Sequence, residues 1–246
     1  MKQDLKLTNA WRRLKEFTNA RIGLGSIGNA MPLEEVLALK LAHAKAKDAI
    51  YTELDTKDLK KRIAEGLNLE VFEFRSKVKD RNQYLVRPDF GKRLGISNSR
   101  QKYPPTDILF VITDGLSASA VNNNAIEVLN ILIPEIRDQF TLSVALVEQG
   151  RVAIGDEVAE LFNAKFVAVF IGERPGLSSP ESMGIYTTFN PRSGFTDEKR
   201  NCISNIHQNG LKDFQAALIL KFLIIQSFHL KMSGVGLKVD LKSLIS

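Results

Sequence analysis

Few residues in this chain are equipped for chemistry, and they gather in short stretches. In Gly172-Glu173-Arg174-Pro175-Gly176, one carboxylate and one guanidinium stand between two glycines. Glycine lets backbone turn or approach a ligand closely, and Pro175 ends any hydrogen-bonded ladder. The pattern suits a binding loop, with an ordinary solvated connection as the plainer alternative. Asn205 to Gly210 spells N-x-H-x-x-G, one letter from the D-x-H-x-x-G with which some enzymes supply a histidine to a cofactor's cobalt. The absent carboxylate would orient and strengthen that imidazole, so a metal ligand is not expected at His207. Gly23-Leu24-Gly25-Ser26-Ile27-Gly28 matches G-x-G-x-x-G, but Glu16 to Arg21 before it is no strand. A dinucleotide fingerprint needs that strand, so the glycines read as a loop between helices. Cys202 and His207 lack a third orienting group, which argues against a catalytic pair. Serine-nucleophile, phosphate-loop and Cys/His zinc motifs are missing. No catalytic residue and no metal ligand is assigned to this chain.

The elements that must position these groups come from apolar runs. Phe166 to Ile171 is too short for a helix and lacks alternation, so it predicts a strand buried on both faces. Ile108 to Ile112 predicts another, ending in Thr113-Asp114-Gly115-Leu116-Ser117, with Ser117 able to cap a helix to about Ile136. Ser143 to Val147 predicts a third strand, and Asp156 to Phe162 a short helix. Strand and helix alternate here with short connections, the pattern of a parallel sheet with right-handed crossovers. Asp114 and Glu173 then sit on one rim of that sheet, where open α/β sheets bind ligands. Ile185 to Phe189 adds a candidate strand and Leu211 to Leu230 a closing helix.

Before Tyr103-Pro104-Pro105 the chain reads as mainly helical. Thr8 or Asn9 could cap a first helix carrying Trp11, Leu14 and Phe17. A long helix follows Pro32, with Leu33, Val36, Leu37, Leu41 and Ala44 as its apolar stripe and His43 near the edge. A third helix spans about Lys57 to Glu65 with Gly66 as its stop. Leu69 to Phe74 alternates like a strand, and Pro88-Asp89-Phe90-Gly91 is a turn into a short basic helix. The expectation is an α/β protein: a Rossmann-like, mainly parallel sheet flanked by helices over 104–246, preceded by a mainly helical region over 1–103.

Composition sets outer limits. The 44% hydrophobic and 25% charged content is that of an ordinary globular protein. One cysteine excludes an internal disulfide and suggests a reducing compartment. No apolar signal core opens the chain, and Ala216 to Phe228 is interrupted by Lys221 and too short to span a bilayer. A soluble, cytosolic protein without membrane attachment is expected. The formal charge of +6 is scattered among acids, as in Lys57-Asp58-Leu59-Lys60-Lys61-Arg62, so no nucleic-acid partner is expected.

Five blocks occur in this order in one known family: Y-L-V-R-P-D-F-G-K-R-L (84–94), V-I-T-D-G-L-S (111–117), G-R-V (150–152), G-E-R-P-G-L (172–177) and C-I-S-N-I-H-Q (202–208). With R-I-G-L-G-S-I-G and L-A-H-A-K-A-K-D-A, the chain from about residue 9 closely resembles the small subunit of ethanolamine ammonia-lyase. That resemblance implies an adenosylcobalamin-dependent lyase that converts ethanolamine to acetaldehyde and ammonia by a radical mechanism. It implies a hetero-oligomer whose large, barrel-shaped subunit binds ethanolamine, while this chain helps to hold cobalamin at the interface. Val152, Glu173 and Cys202 match family positions that contact the cofactor, and His207 becomes structural. The resemblance also makes a bacterial microcompartment a second expected location. Several relatives carry a longer N-terminal extension, and the segment between Ser178 and Asn201 diverges. A stand-alone cobalamin- or nucleotide-binding carrier or regulator is the alternative function.

Overall fold

A computed structural model describes residues 13–18, 20–95 and 103–238. Trp11 and the caps predicted for the first helix lie outside the described residues. After a helical turn at 13–15, the three glycines of the G-x-G-x-x-G run all take positive φ, and Ile27 pairs with Ala30 across a tight turn. The run is a loop, as its context predicts.

Pro32 leads into α1 (Leu33–Tyr51), which opens with Glu34 and Glu35 at its positive end. Its predicted stripe does not face this chain's core. Leu33, Leu37 and Leu41 are 69%, 55% and 57% exposed, and only Ala46 and Ala49 are buried. Asp55 caps α2 (Thr56–Arg62), its carboxylate accepting from the Asp58 N–H at 3.0 Å. The predicted stop at Gly66 is corrected: the chain widens into one π turn, Ile63–Leu67, and ends at Asn68 with φ 52°. Ile63 and Leu67 are buried against the sheet, which keeps the chain wound past the glycine, and asparagine tolerates the left-handed position. β1 (Val71–Arg75) follows, then α3 (Arg81–Val86), capped by Asp80, then the turn at Phe90–Lys92.

The remaining elements are β2 (Ile108–Thr113), α4 (Ala118–Ile136), β3 (Leu142–Glu148), α5 (Ile154–Leu161), β4 (Phe166–Gly172), β5 (Met183–Phe189), β6 (Asn201–Ile206) and α6 (Asp213–Leu230). The sheet order is β1-β3-β2-β4-β5-β6. The first four strands are parallel, whereas β5 and β6 add antiparallel pairs beyond β4. This is the expected α/β fold, with β1 from before residue 103 forming one edge of the sheet. β2 and β4 are buried throughout, as their unbroken apolar runs require.

α2, α4 and α6 cover one face, over Phe110, Leu146, Phe170 and Ile185. α5 covers the other, over Val111, Val147, Val167 and Val169. Gly155 lets α5 approach closely, since a Cβ there would lie 2.3 Å from Val169 Cγ2. By length and composition α6 could cross a bilayer, but Ala216, Leu220, Leu223 and Ile224 are buried in the core. α4 and α5 leave neighbouring strands for opposite faces, which opens a crevice at the carboxyl ends of the sheet.

Candidate functional site

Two glycines bring the loops after β2 and β4 into backbone contact. Gly115 has φ 57°, and a Cβ there would lie 2.3 Å from the Gly172 carbonyl oxygen. A Cβ on Gly172 would lie 2.1 Å from the Ser117 carbonyl oxygen, so neither position has room for a side chain. The Leu116 N–H donates to the Gly172 carbonyl at 2.9 Å and locks the pair. Ser117 precedes α4, but its hydroxyl does not cap the helix. It donates instead to the Pro180 carbonyl at 3.0 Å, tying down the loop that follows Glu173.

Asp114 does not stand on the rim, contrary to expectation. It is 3% exposed and meets Arg81 Nη1 at 3.3 Å, with Thr113 Oγ1 and the Gly150 N–H donating to its other oxygen at 3.2 and 3.3 Å. Burial pushes its carboxyl up to about 6, and Arg81 and the hydrogen bonds pull against that rise. Arg81 also donates through Nε to the Ile50 carbonyl at 2.7 Å, so the ion pair fastens the end of α1 to the sheet. Beside it the Tyr84 ring lies between two guanidinium groups, Arg81 at 4.6 Å and Arg151 at 4.1 Å. Its hydroxyl donates to the Gly150 carbonyl at 2.9 Å, and burial raises its pKa.

Above these groups lies a cavity of about 490 Å³. The ends of β2, β3 and β4 supply Gly115, Leu116, Arg151, Val152 and Glu173, and the far wall carries Tyr186, Phe195 and Asp197. Two of the three sequence-predicted contacts, Val152 and Glu173, therefore share one cavity. Glu173 is half-buried, and its carboxylate accepts from Ser182 Oγ and Ser204 Oγ, each at 2.6 Å, and from the Asn205 N–H at 3.3 Å. A carboxylate offers about four acceptor directions, so one remains for a ligand donor. Arg174 is exposed.

Cys202 lies one strand further out, on β6 opposite Tyr186, and borders a second groove between β6 and α6. Although the residue is exposed, crowding around its sulfur pushes the thiol pKa up; Tyr186 opposes that rise and Glu173 adds to it. The thiol stays neutral near pH 7, which does not suit a nucleophile.

His207 has both ring nitrogens engaged. The Asn209 N–H donates to Nδ1 at 3.2 Å, which leaves the proton on Nε2, facing Asn205 Oδ1 at 2.9 Å. A Cβ on Gly210 would lie 2.6 Å from Nε2. The N-x-H-x-x-G run is thus a tight connection from β6 to α6 that needs its glycine and uses up its histidine.

Sequence reasoning missed the far wall. Arg200, 6% exposed, holds Asp156 of α5 through two hydrogen bonds of 2.9 and 2.6 Å and donates to the Phe195 carbonyl at 3.1 Å. That buried pair fixes the 195–197 segment over the cavity. Nothing in the local sequence marks it, because its partners are 44 residues apart.

A model of the family described as ethanolamine ammonia-lyase light chain (EutC) matches residues 8–238. The chain is 43% identical over 236 residues to an ethanolamine ammonia-lyase small subunit of Rhodopseudomonas palustris (strain BisA53), covering 93% of this chain and 90% of that protein. It is 44% identical over 239 residues to the protein of that name from Xanthomonas campestris pv. campestris (strain B100), covering 94% and 88%. The corresponding Pseudomonas fluorescens (strain Pf0-1) protein is 42% identical, with 94% and 87% covered.

Proposed function

The chain belongs to the ethanolamine ammonia-lyase light-chain family, the small-subunit component of a two-subunit lyase, and on that premise we propose that it holds adenosylcobalamin against a large subunit that binds ethanolamine. The observation that carries this reading is the cavity that joins Val152 and Glu173 at the carboxyl ends of the parallel strands.

The residues fit the group. Corrin side amides carry N–H donors for the free acceptor direction of Glu173, and Val152, Leu116 and Phe195 supply apolar wall. Arg151 Nε is buried without a partner, as a donor awaiting an acceptor would be. A corrinoid is larger than 490 Å³, so this chain embraces only part of it and a second surface must close the rest. When bound, the cofactor supplies radical chemistry at its cobalt–carbon bond. This chain's residues bind, orient and shield; none is placed to move a proton on substrate.

The large subunit is also the occupant we propose for the exposed row Leu33, Leu37 and Leu41 on α1. The segment before α1 is tied to the loop after β4, with Arg21 Nη2 donating to the Leu177 carbonyl at 3.3 Å. A partner that closes the cavity therefore continues onto α1, and permanent interfaces are the more apolar ones.

Co-expression with the large subunit tests the reading. Acetaldehyde should form from ethanolamine only when both chains and adenosylcobalamin are present, and Glu173→Ala should weaken cofactor retention by the complex. Full turnover without this chain would refute the proposal. Tight cofactor binding by this chain alone, with no association, would favour an independent carrier.

A further inference from the structure

One wall of the cavity carries charge that the protein does not balance. Lys92 and Arg151 both line it, and among the described residues neither has an ion-pair partner. The adjacent Arg93 behaves differently and meets Glu157 at 2.6 Å. The Arg151 guanidinium is not loose. It stacks 4.1 Å from the Tyr84 ring centre and donates through Nη2 to the Tyr84 carbonyl at 3.2 Å, while its buried Nε has no acceptor. The Arg151 N–H donates to the Gly91 carbonyl at 2.7 Å, which fixes the turn bearing Lys92 beside it. A Cβ on Gly91 would lie 2.8 Å from Arg151 Cγ, so the two segments interlock. The next two backbone N–H groups, of Val152 and Ala153, precede α5 and donate to no acceptor among the described residues. The acids Glu173 and Asp197 also line the cavity, but among the described residues neither forms an ion pair with Lys92 or Arg151. Asp197 meets Arg200 Nε at 3.4 Å, and Glu173 accepts from Ser182 and Ser204.

Two cations without counter-ions and a buried, unpartnered guanidinium N–H make a place for an anion. Planar guanidinium geometry suits the oxygens of a phosphate. We propose that Lys92 and Arg151 form a phosphate subsite and that, resting on the cofactor reading above, it takes the phosphodiester in the nucleotide loop of adenosylcobalamin. This assigns one wall to the anionic part of the ligand and leaves the Glu173 side for the neutral corrin amides.

The test uses the assembled two-chain enzyme and two compounds, adenosylcobalamin and adenosylcobinamide, which shares the corrin and adenosyl groups but has no phosphodiester. Equilibrium dialysis followed by corrin absorbance reads retention without turnover. Arg151→Met should weaken adenosylcobalamin retention on the order of tenfold, the fold-change expected from one charge-assisted hydrogen bond, and should leave adenosylcobinamide retention unchanged. Lys92→Ala, at an exposed position that does not threaten folding, should give a smaller loss that fades in salt. Inorganic phosphate should compete with adenosylcobalamin and not with adenosylcobinamide. Equal weakening of both compounds by the variants would overturn the subsite and leave the cofactor reading standing. Phosphate binding that the variants abolish, with both corrinoids held alike, would overturn its assignment to the cofactor. Failure of the unaltered complex to retain either compound would overturn the cofactor reading itself.

Discussion

α1 and α4 are both helices of 19 residues, and both have apolar positions at helical spacing. Their fates differ. α4 buries Val121, Ile126, Leu129, Leu132 and Ile133 between the sheet and α6, whereas α1 buries only two alanines and leaves Leu33, Leu37 and Leu41 in solvent. Helical periodicity says that a face is meant to be covered; it does not say which chain supplies the cover. The sheet with α4, α5 and α6 has its own core. α1 is attached to it near one end, by Arg81 at the Ile50 carbonyl and by small Ala46 and Ala49, and has its large side chains facing outward. The difference separates a body that packs on itself from an arm whose apolar row is left uncovered by the described residues.

The comparison is sharpest in α4. Leu129 is fully buried in the main core cluster, so Leu129→Ala removes its transfer free energy and leaves a cavity. The expected loss is about 2–5 kcal/mol, read by urea unfolding of the chain. A loss below 1 kcal/mol would mean that the α4 face is not the closed core described here.

The junction between body and arm should answer to pH. Asp114 has a folded-state pKa of about 6 against about 3.9 in the unfolded chain. The folded state therefore binds the extra proton between pH 4 and 6, and stability falls as pH rises through that window. The span is about 3 kcal/mol. Asp114→Asn cannot ionise, so its unfolding free energy should drop less than that of the unaltered chain between pH 4 and pH 7. Parallel pH profiles for the two proteins would show instead that the carboxylate is ionised throughout.

Much of the body was legible in the sequence because its signals are local. β2 and β4 announce themselves as apolar runs flanked by glycine, and Glu173 stands where such a strand must end. β6 was not legible: Asn201-Cys202-Ile203-Ser204-Asn205-Ile206 is a largely polar edge strand that buries only Ile203 and Ile206, three residues apart, so no period-2 alternation marks it. The rim was only half legible. Asp114 sits at a strand end just as Glu173 does, but Arg81, 33 residues earlier, draws it into the interior. The glycines at 115 and 172 were visible as glycines, while their contact with each other exists only once β2 and β4 are paired. Lys92 and Arg151 lie inside recognisable blocks, yet their lack of counter-ions is a property of the folded surroundings.

The smallest stability effect carries the most information about α1. Leu37 is 55% exposed, and a surface substitution of that kind changes stability by no more than about 0.5 kcal/mol. Leu37→Ser should thus leave urea unfolding of this chain unchanged, the opposite of Leu129→Ala. If a large subunit covers the α1 row, the same substitution removes an apolar anchor from that interface and should weaken association, as measured by co-purification and sedimentation of the two chains. Adding Leu41→Ser, one helical turn further along, should deepen the loss, because residues four apart share a face. Unimpaired association of the doubly substituted chain would place the interface elsewhere and leave the exposed row without a function in assembly. Loss of the chain's own stability would instead show that α1 is part of the core after all.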